Sequence, residues 1–185
     1  MSTPSKKRGA LRRSKLQISE MVVFAMLGTI MFCSKILLEV LPNIHLLGML
    51  TMTYTVVFRR KALIPIYIYV MLNGLYAGFN VWWIPYLYIW TILWAITMLL
   101  PRNMQKKAKY VVYPVICCIH GLAFGILYSP AQALMFGMNF KMMIAWIISG
   151  FPFDIIHGIG NLFAGMLIIP LSELLIKVSK KGRTA

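Results

Sequence analysis

The sequence predicts an all-α integral membrane protein with six transmembrane helices and both termini in the cytoplasm. Three observations predict it. Of the 185 residues, 60% are apolar and 12% charged, whereas a soluble domain is about 45–50% apolar and ~25% charged. The charges are lopsided, with 19 Lys and Arg against four carboxylates. Seventeen of those 19 cations also gather in four clusters with long apolar stretches between them. An aqueous globule of this composition would expose a mostly apolar surface, which marks lipid contact or aggregation. A soluble enzyme, a disordered chain and a disulfide scaffold are excluded on that ground. The net charge of +15 does not point to nucleic acid either, because its cations are not spread over a folded polar face.

The elements follow in chain order. Lys6, Lys7, Arg8, Arg12, Arg13 and Lys15 precede the first apolar run, so residues 1–17 read as a basic cytoplasmic tail able to meet anionic lipid. The run from Ile18 to Leu41 is longer than the ~7–15-residue core of a signal peptide, and no small-x-small cleavage site follows it. It reads as an uncleaved first helix. Its interval, extending to Phe58, breaks at Leu41-Pro42-Asn43-Ile44-His45 and yields a second helix before Arg59, Arg60 and Lys61. Ala62 to Leu100 breaks around Gly78–Trp83, giving helices three and four, and Arg102, Lys106, Lys107 and Lys109 follow. Tyr110 to Ile176 breaks between Ser129-Pro130 and Pro152, giving helices five and six, and Lys177, Lys180, Lys181 and Arg183 close the chain. A crossing needs ~20 residues at 1.5 Å per residue, and each interval is long enough for two. The even-numbered links are basic, while the odd-numbered ones carry at most Lys141 or, near the end of helix one, Lys35. The positive-inside rule therefore puts both termini in the cytoplasm. Residues 18–178 form one membrane domain, and residues 179–185 a short basic tail. Cys33, Cys117 and Cys118 fall inside helices without metal-ligand spacing and read as packing residues.

The sequence has no G-x-x-x-x-G-K-[ST] loop, no H-E-x-x-H and no G-x-S-x-G, so ATP hydrolysis of the Walker kind is not expected of this chain. With four acids, few groups are left to couple a proton or sodium gradient. A transport subunit of a larger machine, or a channel, fits better than an enzyme, and no cofactor or metal is expected.

The richest polar segment runs from Gly150 to Asn161. Pro152 suits the first turn of a helix, where Asp154 would meet the positive end of the dipole. Asp154, His157 and Asn161 fall at i, i+3 and i+7 and share one helical face. Ionisable groups at membrane depth are costly and face a cavity or a bundle interior, so this face reads as a ligand or gating surface. The plainer reading is a capped helix start with His157 satisfied by a neighbour. A second group comprises Asn80, Trp82, Trp83, Tyr86, Tyr88, Trp90 and Trp94. Interfacial anchoring explains Trp82 or Trp83. It explains less well the recurrence of Trp83, Tyr86, Trp90 and Trp94 along one face, a stripe able to stack on a planar ligand. Asn43 and His45 add hydrogen-bonding groups at the same mouth. Lys35 and Glu39, at i and i+4, read as a structural pair. Ala25 and Thr29, with Gly28 beside them, form a small-xxx-small face that lets another membrane helix approach.

Together these features resemble the substrate-binding S component of an energy-coupling-factor vitamin transporter. The resemblance spans about Ile18 to Val178. It rests on size, six helices, the small-residue site in helix one, and Pro152-Phe153-Asp154-Ile155-Ile156-His157, which is similar to the Pro-Phe-Asn-x-x-Lys-like opening of the last helix in many S components. The run from Ser149 to Asn161 and Trp82-Trp83-Ile84-Pro85-Tyr86-Leu87-Tyr88 also look like a vitamin-uptake subgroup. The resemblance implies an S-component-like bundle in a bacterial cell membrane. Such a subunit captures a vitamin or related micronutrient outside and delivers it through a transmembrane coupling protein driven by two ABC ATPases. It implies that Asn43, His45, Asn80, Trp83, Tyr86, Trp90, Asp154, His157 and Asn161 surround the ligand and that Ala25, Gly28 and Thr29 lie on the docking face. Cobalamin-, flavin- and pyridoxine-like ligands suit this residue set. A small channel or facilitator without an energising partner is the alternative, and a membrane-embedded assembly subunit is a third.

Overall fold

The computed structural model describes residues 18–41 and 43–181, and the tail 1–17, Pro42 and residues 182–185 lie outside the described residues. The basic N-terminal tail is therefore outside them, as is the end of the C-terminal one. Among the described residues all regular structure is helical: α1 (Ile18–Leu37), α2 (Leu47–Phe58), a 3-10 turn (Arg59–Ala62), α3 (Leu63–Ala77), α4 (Tyr86–Leu99), α5 (Lys106–Leu122), α6 (Phe124–Phe136), α7 (Phe140–Gly165) and α8 (Ile168–Lys181). Joined across the breaks at Ala123 and at Met166-Leu167, these segments make six rods. Three spans are long and apolar enough to cross a bilayer: α1, α5 with α6, and α7. Helix α4 is a shorter apolar helix. The described residues form an all-helical bundle whose length and composition are consistent with a membrane protein.

Helix α2 is the axis of the packing. Every residue from Leu47 to Thr55 is buried, as expected of a segment that is apolar or small on all sides. Its hydroxyls stay inside the helix or its immediate surroundings, with Thr55 donating to the Thr51 carbonyl at 2.6 Å. Tyr54 reaches the Leu27 carbonyl of α1 at 3.2 Å. At 12 residues α2 is about 18 Å long, short of the ~30 Å hydrocarbon layer. A helix walled by protein can be this short, because its end groups find polar partners within the fold rather than facing lipid. Helices α1, α4, α5, α7 and α8 all pack around it.

Among the described residues, the two interior basic segments lie at one end of the bundle. Lys61 holds both carboxylate oxygens of Glu20 at 2.8 Å. Arg59 donates to the Met98 carbonyl at 2.9 Å, while Trp94 Nε1 donates to the Arg59 carbonyl at 3.1 Å. Lys106 pairs with Glu173 at 2.8 Å. These contacts bring together the start of α1, the α2–α3 link, the end of α4, the start of α5 and helix α8. The links before α2, between α3 and α4, and between α6 and α7 fall at the other end.

The structure corrects the last third of the chain. Neither Pro130 nor Pro152 ends a helix: each lies inside one, in α6 and α7 respectively. The turn falls inside the expected interval, at Gly137-Met138-Asn139, with Gly137 in the left-handed region at φ +62°, where glycine carries no steric cost. Asn139 caps α7 by accepting from the Met142 N–H at 2.9 Å. Pro130 removes the N–H that would serve the Ile126 carbonyl, and Ser129 Oγ donates to that carbonyl at 2.9 Å. Membrane helices tolerate proline where a neighbouring hydroxyl makes up the bond in this way.

Candidate functional site

Asp154 does not sit in the first turn of a helix. It lies in the middle of the 26-residue α7, one carboxylate in a mainly apolar segment. The helix terminus it meets belongs to another element. Between α5 and α6 the helical ladder breaks at Ala123, and the Gly125 N–H points to both Asp154 oxygens at 3.2 Å. An acid against the first turn of α6 is favoured by the orphan N–H groups and the dipole there. A Cβ at residue 125 would collide with the carboxylate, so glycine is what permits the approach. Two long contacts to a single N–H leave most of the acceptor capacity of the carboxylate unused.

Asp154 also forms part of the wall of a cavity of about 430 Å³ between α6, α7 and the α3–α4 link. That volume lies within the ~300–1,000 Å³ range of small-molecule sites. Its other walls are largely aromatic, with Trp82, Phe124, Tyr128, Phe136, Trp146 and Phe153 among them, and Gln132 adds an amide. Tyr128 and Trp146 stack with centroids 6.0 Å apart and planes 20° from parallel. Tyr128 is fixed by donating to the Trp82 carbonyl at 2.7 Å, and Tyr88 ties α4 to α6 by donating to the Leu127 carbonyl at 2.7 Å. The hydroxyl of Tyr128 is spent on the scaffold and its ring face is left to the cavity.

Phe124 separates this cavity from a smaller compartment of about 20 Å³ lined by Lys35, His45, Leu47, Tyr86, Trp90, Phe124 and His157. The compartment has the volume of a single water. The Phe124 and His157 rings lie 4.9 Å apart, and His157 meets His45 edge-on at 5.2 Å. Tyr86 stacks on Trp90 at 6.1 Å with planes 3° from parallel. His45, in the α1–α2 link, is held below the usual imidazole range, mainly by burial and further by the nearby Lys35 ammonium. Trp90 lines this compartment, and its Nε1 is buried without a protein partner, as are Tyr69 Oη and His120 Nδ1 on the rings packed against Trp90; buried polar groups without partners are rare.

The residues expected from sequence therefore divide. His45, Tyr86, Trp90 and His157 meet around the small compartment, and Asp154 lines the adjoining cavity. Asn161 is buried between Gly48 of α2 and Gly121 of α5 and lines neither. Trp83 donates to the Val70 carbonyl at 2.8 Å and pins the α3–α4 link onto α3, as Trp94 pins α4 to Arg59. The regular aromatic stripe thus mixes structural pins with cavity walls. Asn80 is exposed and accepts from the Trp82 N–H at 3.3 Å, which makes it a turn former. Asn43 is half-buried with φ +60°, a backbone position that asparagine tolerates better than most residues. Lys35 and Glu39 do pair, at 3.9 Å, yet Lys35 also borders the compartment. Gly28 is not on a free face: a Cβ there would lie 2.6 Å from Ile68 and 2.9 Å from the Pro65 carbonyl oxygen, so it serves the α1–α3 contact. Ala25 and Thr29 are exposed.

Phe124, Tyr128, Gln132, Phe136 and Trp146 were not among the expected site residues. A signal for them exists in the sequence: residues 124, 128, 132 and 136 recur every four positions, as do 146, 150 and 154. Breaking the helices at the prolines hid both stripes. No known family model matches the chain, and no curated protein or solved structure is significantly similar to it.

Proposed function

We propose that this chain is the substrate-capturing membrane subunit of an energy-coupling-factor-type importer, an S component that binds a micronutrient-sized organic ligand and passes it to a partner ATPase module. The observation that carries the reading is the aromatic cavity of about 430 Å³, set in a helical membrane bundle at the end opposite the basic clusters. A concave, mostly apolar pocket with a few convergent polar groups is the usual form of a small-molecule site. The adjoining His45, His157 and Lys35 supply further polar groups within reach of a ligand that displaces Phe124. In this reading the basic end faces the cytoplasm of a bacterial cell, the cavity opens outward, and exposed Ala25 and Thr29 on α1 offer a close-approach surface to a transmembrane coupling protein. The sequence supplies no nucleotide-binding loop, so two ABC ATPases would provide the energy.

The reading is tested by thermal stability of the purified protein against a panel of water-soluble vitamins. A ligand present at a hundred times its Kd stabilises by about 2.7 kcal/mol, so a true ligand raises Tm by several degrees. Absence of any shift across cationic, neutral and anionic compounds overturns the proposal.

A further inference from the structure

The chain holds four acids, and the structure treats one of them differently. Glu20 is held by Lys61 at 2.8 Å, Glu39 by Lys35 at 3.9 Å and Glu173 by Lys106 at 2.8 Å. Asp154 is the most buried of the four, at 7% exposure, and among the described residues it forms no ion pair. Its one protein donor is the Gly125 N–H. A carboxylate in an apolar helix without a countercharge is costly, and the cost falls when a cation arrives. The walls near it are suited to one: Trp82, Phe124, Tyr128, Trp146 and Phe153 present ring faces or edges, and aromatic faces attract cations most strongly where water is excluded. Lys35 borders the compartment on the other side of Phe124 and pairs with Glu39.

From this geometry we infer that the cavity selects a planar organic cation, an aromatic or heteroaromatic compound with an amine or ring-borne positive charge, whose charge is read by Asp154 and whose ring stacks against the Tyr128–Trp146 pair. The inference rests on the capture reading and narrows it to one charge class. Two members of the aromatic stripe, Trp83 and Trp94, are spent on backbone carbonyls, which leaves the recognition to the walls of the cavity.

The test uses the full chain in nanodiscs and probes that differ in charge: tryptamine against tryptophol, and thiamine against riboflavin. The cation of a pair should bind at least about tenfold more tightly, the scale set by a desolvated charge pair. Asp154→Asn retains an acceptor for the Gly125 N–H while removing the charge, and it should abolish the preference. Trp146→Leu keeps the charge and removes a ring face, so it should weaken the cation more than the neutral probe; it carries the test if Asp154→Asn does not fold. Equal binding of both members of a pair, or a preference that survives both variants, overturns the cation assignment while leaving capture standing. Failure of all four probes to bind overturns the assignment and counts against capture as well.

Discussion

The site is built from side chains held in place by backbone atoms of other elements. Phe124 is held instead by the rings of Trp90, Tyr128 and His157. It opens α6 at the break and touches both cavities. Truncating it to alanine should join them and, as a partly buried large-to-small change, cost roughly 2–4 kcal/mol. The expected signature is a lower Tm together with a change in ligand size preference, measured by thermal shift with and without ligand. His45 supplies a pH-dependent test. Its pKa in the folded protein lies below the ~6.5 of the unfolded chain, so the unfolded state takes up the proton first. The contribution of neutral His45 is thus complete above about pH 6.5 and is lost as pH falls below that value. Thermal stability measured from pH 7.5 to 5.5 should decline less steeply in His45→Gln than in the parent, and identical slopes would count against the assignment. Residue-level reasoning from sequence picked out His45, Tyr86, Trp90, Asp154 and His157, which the fold brings to the two adjoining compartments, because polar or clustered aromatic groups stand out in an apolar sequence. It missed Gln132 and Tyr128, whose importance depends on which helix lies opposite.

At the scale of the element, proline was the misleading signal. Pro130 and Pro152 mark helix ends in water, but here Ser129 supplies the bond that Pro130 removes. Ser129→Ala should leave the Ile126 carbonyl unserved and cost ~1–2 kcal/mol. Ser149→Ala, which loses an exposed bond to the Trp146 carbonyl, should cost little; equal effects in chemical denaturation would contradict this account. The continuous α5–α6 span of 31 residues is about 46 Å long, well beyond the ~30 Å hydrocarbon layer, and the break at Ala123 gives it a place to bend. Beside that break Asp154 accepts from the Gly125 N–H, a contact 29 residues away in sequence and illegible without the fold. Helix α1 offers a paired comparison. Gly28→Val should destabilise the α1–α3 contact by ~1–3 kcal/mol through overpacking. Ala25→Leu and Thr29→Leu, on the exposed side, should spare folding and ligand binding and reduce uptake through the partner module.

For the molecule as a whole, the arrangement of charge was the most legible feature. The two interior cationic clusters, around residues 59–61 and 102–109, lie at one end of the described bundle, fixed by Lys61 with Glu20 and by Lys106 with Glu173. Counting crossings was less secure, because α2 and α3, at 12 and 15 residues, are shorter than a full span. The proposed capture role differs from passage in a way that can be measured. Liposomes containing this chain alone should bind the ligand identified by thermal shift saturably and accumulate none of it, with uptake appearing only when an ATP-driven coupling module is added. Flux of the ligand through the chain by itself would contradict the account and favour a facilitator.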